Sequence, residues 1–350
     1  MAVAPPSPVG KLRGTATEAA KRFAADTAQR RAAAASPASV ILNVKDVQGE
    51  YDGGRALETT LGGVRRAITA DDLVAFRRNI KTLQKSFKGG IRARKVLDMS
   101  LPIDRQRASR EIRHAVPVAA KNGMVRFVTN AGPDSKDTRH HVNVEFMSFG
   151  AAAAAGRGDA KKMANWLRKE PIKFDCDCGR HRFWYRYIST IGGFNAGRSE
   201  GGFPKIRNPG LQGVGCKHVL RVMAEVEASG AVLGFLTKLL DKARSADDGK
   251  ASHATTQAEA DELAKKQARA RAIKTTDSRT AERRTAAQKK ALAEAAKPVP
   301  PPKKTTTSTR RAGPVKPAAP GPATLTPGQL AMAQQFGMTP EQALAFLAAR

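Results

Sequence analysis

The sequence predicts an α+β fold. A small mixed domain over about 40–157 is followed by a β-β-α module over 158–240 stabilised by a bound metal, with disordered basic segments at both ends. Three observations carry this reading. All three cysteines fall in one stretch, as Cys176-Asp177-Cys178 and then Cys216-Lys217-His218. Alternating apolar stretches flank Asn122-Gly123, a strong two-residue hairpin turn, and a run with helical periodicity precedes them. The two ends are rich in Ala, Lys, Arg and Pro and poor in large apolar residues, so they cannot bury enough surface to order themselves.

Composition bounds the partners. The 350 residues carry a formal charge of +30, a surplus that repels itself unless an anionic partner or solvent takes it up, so nucleic acid, an acidic protein surface or an anionic membrane is expected nearby, and of these nucleic acid and a protein partner, not a membrane, are favoured. No apolar run approaches the roughly 18 residues a transmembrane helix needs, and the first residues lack the apolar core of a signal peptide. Three cysteines at metal-like spacing suit a reducing cytoplasm better than a disulfide scaffold. No paired-carboxylate cluster, phosphate loop or Ser-His-Asp arrangement is present, so the chain is not expected to be an enzyme.

Residues 1–39 form a basic arm with a weak helical tendency between Thr17 and Ala34, either a solubilising tail or a nucleic-acid contact. Val40-Ile41-Leu42-Asn43-Val44 reads as a short strand. Thr69-Ala70-Asp71-Asp72 is a capping-box-like start for a helix to about Phe87, where Gly89-Gly90 stops it. Leu73, Phe76, Ile80, Leu83 and Phe87 step by three and four and mark its buried face; Arg77, Arg78, Lys81 and Lys85 make the opposite face either solvated or phosphate-binding. The segments 115–119 and 124–128 pair through the Asn122-Gly123 turn, and Pro117, which cannot donate to a ladder, places the first strand at an edge. His141 to Met147 alternates and supplies a third strand; His140 and His141, being adjacent, should diverge and form no metal site. A poor helix or joint follows at Ala151–Ala155, then a helix from Asp159 to Arg168 with Trp166 as a core anchor.

The cysteine stretch carries the chemistry. In an extended segment Cys176 and Cys178 share a face, while Cys216 should precede a helix with His218 in its first turn, since Val219, Leu220, Val222, Met223 and Val226 follow with helical spacing. Three thiolates and one imidazole complete a tetrahedral shell for zinc. The cysteines could instead be inert buried thiols, or the C-x-C pair a redox disulfide, but each cysteine lies two residues from another ligand and the fourth position is a histidine. The shell is closed and so structural rather than catalytic. His181 is a spare ligand three residues after Cys178.

The pattern C-x-C, spacer, C-x-H at Cys176, Cys178, Cys216 and His218 resembles the SWIM zinc finger, although the 37-residue spacer is longer than is usual there. The resemblance implies a zinc-binding β-β-α unit with those four residues as ligands and a role in nucleic-acid or protein binding. Together with Phe203-Pro204-Lys205-Ile206-Arg207-Asn208-Pro209, the stretch also resembles long-insert variants encoded among virion structural genes of tailed bacteriophages, which implies a virion or assembly component in the host cytoplasm or the virion. The alternative is a cellular SWIM-type DNA- or RNA-associated regulator.

Inside the spacer, Phe183 to Ile188 reads as a strand with Phe183, Tyr185 and Tyr187 on one face; interleaved with Arg180, His181, Arg182 and Arg186, it either packs in the core or stacks on nucleic acid. Residues 192–215, rich in glycine, are expected to wrap the metal as an exposed loop that buries little. A second short helix with Val232, Leu236 and Leu240 closes the module. Residues 241–324 read as a disordered linker in which any helix is solitary, and 325–350 as two short helices, started by Thr326-Pro327 and Thr339-Pro340, that dock on a protein partner.

Overall fold

A computed structural model describes residues 7–34, 57–87, 89–155, 158–246, 248–268, 272–295 and 339. The chain divides into two units, Met1–Leu292 and Ala293–Arg350, and every element below begins in the first. The strand expected at Val40–Val44 and the C-terminal helices expected over 325–350 lie outside the described residues.

In chain order the elements are α1 (Thr15–Ala34), β1 (Glu58–Thr59), β2 (Arg66–Ala67), α2 (Ala70–Ser86), α3 (Ala93–Asp98), α4 (Pro102–Glu111), β3 (Ala115–Lys121), β4 (Met124–Asn130) and β5 (Arg139–Phe146). There follow α5 (Phe149–Ala154), α6 (Ala160–Leu167), β6 (Ile172–Cys176), a π-helical turn (His181–Tyr185), α7 (Arg186–Ile191), α8 (Lys217–Ala228), α9 (Gly230–Ser245), β7 (Ser252–Ala254), α10 (Gln257–Gln267) and α11 (Thr276–Ala295).

The mixed α and β character is as the sequence implied, and its centre is one antiparallel sheet in the order β6-β5-β4-β3-β7. Asn122 and Gly123 take φ of 49° and 85°, the left-handed pair that a type I′ hairpin requires. A side chain at 123 would also meet Phe149 Cβ at 2.6 Å, so glycine is required there twice over. Pro117 is compatible with a second-position strand because β7 covers β3 only from Ala119 to Lys121, and β3 is irregular between Pro117 and Ala119. Outside that point the Thr255 hydroxyl donates to Pro117 O at 2.8 Å.

β6 pairs with β5 from Val142↔Cys176 to Phe146↔Ile172, so the sheet runs straight through the boundary expected near 157. One apolar cluster accordingly reaches from Leu57 through Phe127 and Phe174 to Leu240 and Ile273. The described residues on either side of that boundary therefore share one sheet and one core.

α2 begins as expected: the Thr69 and Asp72 side chains satisfy each other's backbone N–H groups in a capping box. Its Phe76 packs on Phe203 with ring centroids 4.3 Å apart. That contact overturns the expectation of an exposed 192–215 segment, in which Phe194, Phe203, Leu211 and Val214 are all buried. Four apolar side chains spaced along a glycine-rich loop contribute about 1.5–3 kcal/mol each when buried, enough to fix the loop despite its glycines.

Within the basic segments at the two ends, some of the described residues are packed. Val9 of the N-terminal segment and Ala260 and Ala264 of α10 cover Val116, Val118 and Val128 on the outer face of the sheet. Small alanines have low hydrophobicity and so left no apolar stripe to read, yet they let a helix approach a strand of valines closely. α1 is held differently, by ion pairs described below.

Candidate metal centre

The four ligand candidates converge. Cys176 is the last residue of β6, Cys178 follows after a one-residue turn, Cys216 is the N-cap residue of α8, and His218 lies in that helix's first turn. Their ligand atoms all lie within 4.8 Å of one another and all four residues are buried. Cys176 Sγ is 4.0 Å from His218 Nδ1. Among the described residues no other group of three or more histidine, cysteine and carboxylate side chains has its ligand atoms set to share one metal ion.

Local structure explains the convergence. β-pairing to β5 fixes Cys176, and Asp177 N then donates to His141 O at 3.2 Å, turning the chain so that Cys178 folds back. Cys178 Sγ accepts from His181 N at 3.3 Å, and Arg182 N donates to Cys178 O at 3.1 Å. These contacts open the π-helical turn, a geometry that concentrates at functional sites. At the other pair, Leu220 N donates to Cys216 O at 2.9 Å as the first turn of α8 closes, and the Val219 N–H points at the Cys216 sulfur.

The stretch from His181 to Ile191 is therefore helical, not the strand the alternation implied. A strand there would have required a partner edge, whereas the outer edge of β6 is already bridged by Ile91 and Asn195, and the His181 and Arg182 N–H groups are taken up by the Cys178 sulfur and carbonyl. The helical turn buries Tyr185, Arg186, Tyr187 and Ile188 and leaves Phe183 and Trp184 half-buried. His181, the spare ligand by spacing, is turned away from the thiols, with Nε2 3.2 Å from Asp175 Oδ1.

Asp177, between the two cysteines, is a residue whose role no sequence signal announced. Its Oδ1 meets His140 Nδ1 at 3.0 Å and its Oδ2 meets His141 Nδ1 at 2.9 Å, and Arg22 Nη1 of α1 lies 2.8 Å from Oδ2. The two histidines thus converge on one carboxylate instead of diverging, since Asp177 sits one residue past the last β5–β6 pair and its two oxygens straddle the strand end. The His140 ring packs on the His218 ring at 4.3 Å, which fixes the imidazole ligand from behind.

α1 adds a second layer of charge. Asp26, buried, pairs with Arg182 Nε at 2.7 Å and Arg186 Nη1 at 2.6 Å, while Arg186 also reaches Asp175 at 3.1 Å and donates to Cys176 O at 3.3 Å. Arg186 is a buried strut, not a phosphate contact. Arg180 is likewise committed, to Asp104, which also accepts from the Tyr185 hydroxyl. Of the basic face of α2, Arg78, Lys81 and Lys85 are exposed.

The electrostatics of the cluster fit a cation. Burial pushes the Cys176 and Cys216 thiols well above their ordinary value and pushes His218 down, as expected for groups with no water to stabilise their charged forms. Burial acts on Cys178 in the same sense, but hydrogen bonds from the Cys176 and Cys216 thiols and the nearby His218 outweigh it and hold one thiolate. His218 Nε2 is buried without a hydrogen-bond partner. Three soft sulfur donors and one imidazole, dry and converging, match a tetrahedral metal with no open position.

No protein-family model, curated protein or solved structure matches the chain. No helix among the described residues is long and apolar enough to cross a membrane.

Proposed function

We propose that this chain is a non-enzymatic, zinc-dependent binding protein whose metal locks together the end of β6, the π-helical turn and the start of α8, and whose basic surface contacts nucleic acid. The observation that carries the reading is the closed, buried set of Cys176, Cys178, Cys216 and His218 within 4.8 Å of one another. A set with four protein ligands leaves no position for substrate or activated water, so the metal's contribution is folding energy rather than turnover. Zinc is the metal that the softness and geometry of the donors favour. The formal charge of +30 supports an anionic partner, bound through phosphates without sequence preference.

The resemblance of the C-x-C and C-x-H pairs to the SWIM finger, and of the long insert to phage virion proteins, supports a virion structural or assembly role, with a protein partner for the C-terminal 325–350 segment. Metal analysis of the purified chain should return one zinc per chain. Its affinity for a polynucleotide should fall steeply with added salt; a flat salt dependence removes the nucleic-acid part of the reading, and absence of metal removes the zinc part.

A further inference from the structure

We propose that Trp184 and Arg207 form a stacking contact for an unpaired base of a single-stranded nucleic acid, a proposal that rests on the nucleic-acid reading above and locates it. Trp184 belongs to the π-helical turn that follows the cysteine pair; part of its ring packs against the main apolar cluster and the rest is open. Two guanidinium carbons lie within cation–π range of the indole, Arg180 at 4.3 Å and Arg207 at 5.2 Å from the ring centroid.

The two arginines are not equivalent. Arg180 makes a two-pronged pair with Asp104, at 3.0 and 2.8 Å, so its charge is neutralised and its position fixed. Arg207 is exposed and has no carboxylate partner among the described residues. It therefore offers an exposed planar cation within cation–π range of a half-buried aromatic ring. Bases stack on such guanidinium planes and on aromatic rings alike, and a cation beside the ring answers the neighbouring phosphate.

The backbone around the pair is pre-ordered. Asn208 Nδ2 donates to Trp184 O at 3.1 Å and to Gln212 O at 2.9 Å, and Asn208 Oδ1 accepts from Gln212 N at 2.9 Å. One side chain thus ties the Arg207 loop to the Trp184 turn. Asn79 of α2 donates to Pro209 O at 3.4 Å, which sets the helix bearing exposed Arg78, Lys81 and Lys85 beside the same loop. A strand whose base stacks on Arg207 beside Trp184 finds phosphate-binding cations on α2. A duplex, whose base faces are covered by their neighbours, does not gain the stacking part.

The test uses the full chain carrying Trp166→Phe, which leaves Trp184 as the sole indole; Trp166 lies on α6, outside this contact. Titration with oligothymidylate should quench the Trp184 emission, and a duplex of equal length at matched saturation should not. Arg207→Ala should weaken oligothymidylate binding by about tenfold or more, the range expected for loss of one stacked base. Arg207→Lys, which keeps the charge and loses the plane, should restore little of it. Arg207 is exposed, so these variants test binding without disturbing the core. If oligothymidylate binds with unchanged Trp184 emission, or Arg207→Lys restores full affinity, the stacking contact is refuted and the nucleic-acid reading stands. If no polynucleotide binds at any salt concentration, both fall.

Discussion

Stripping the metal should cost the protein a defined amount of stability, and the amount follows from where the ligands sit. An ion held by the four residues would join Cys178 to Cys216 across 37 intervening residues and so close a loop that the unfolded apo chain leaves open. A cross-link closing a loop of about 40 residues removes roughly 13 cal/mol/K of chain entropy from the unfolded state, or about 4 kcal/mol at 25 °C. Removal also leaves three buried thiols and a buried imidazole with only each other as partners. In a unit of this size each kcal/mol moves Tm by roughly 2–4 °C, so exhaustive chelation should lower Tm by roughly 8–16 °C and zinc should restore it. Calorimetry measures the shift. Hydrogen exchange should place the loosening at 176–218, with the β3–β4 hairpin, which is closed by its own turn, staying protected. Cys216→Ser should show the chelated Tm and fail to respond to zinc. Chelation that removes one equivalent of metal and leaves Tm unchanged would falsify the structural assignment of the site.

Three further outcomes are expected. Burial, reinforced by Arg221, pushes His114 down to about 4, so between pH 6.5 and 4 the unfolded chain binds a proton that the folded chain does not; stability must fall on acidification, by about 2 kcal/mol between pH 7.5 and 5, and His114→Gln should flatten that part of a denaturation-versus-pH profile. Asp26→Asn removes the carboxylate between the buried Arg182 and Arg186, at a cost of about 3–5 kcal/mol; α1 is otherwise fastened by Arg22 to Asp177 and by Glu18 to Arg139, so the loss should appear as early tryptic cleavage at Lys21 and Arg22 while the body resists. An unchanged digestion pattern would show that α1 does not depend on that pair. Gly213 has φ of 70° and a side chain there would meet Leu101 Cγ at 2.9 Å, so Gly213→Ala should destabilise by about 2 kcal/mol or more in chemical denaturation, whereas a change within error would place no strain at this turn.

What could be read from the residues alone was whatever is encoded by short-range geometry. The capping box at Thr69 and Asp72, the left-handed turn at Asn122-Gly123, and the position of His218 in a helix that Cys216 caps all depend on neighbours within four residues, and spacing had singled out the four residues that the structure brings together. Tertiary structure alone decided the rest. The run from Phe183 to Ile188 alternates like a strand, yet the outer edge of β6 is bridged by Ile91 and Asn195 and the Cys178 sulfur takes the His181 N–H, so the chain coils. Asp26 meets Arg186 across 160 positions and Phe76 meets Phe203, pairings that no local pattern marks. α10 buries alanines, whose small surface gives no periodic signal until a strand of valines is seen beneath them. Turns and caps are energies of adjacent groups, whereas burial is a property of whatever surface arrives from elsewhere in the chain, and only the folded arrangement says which surface that is.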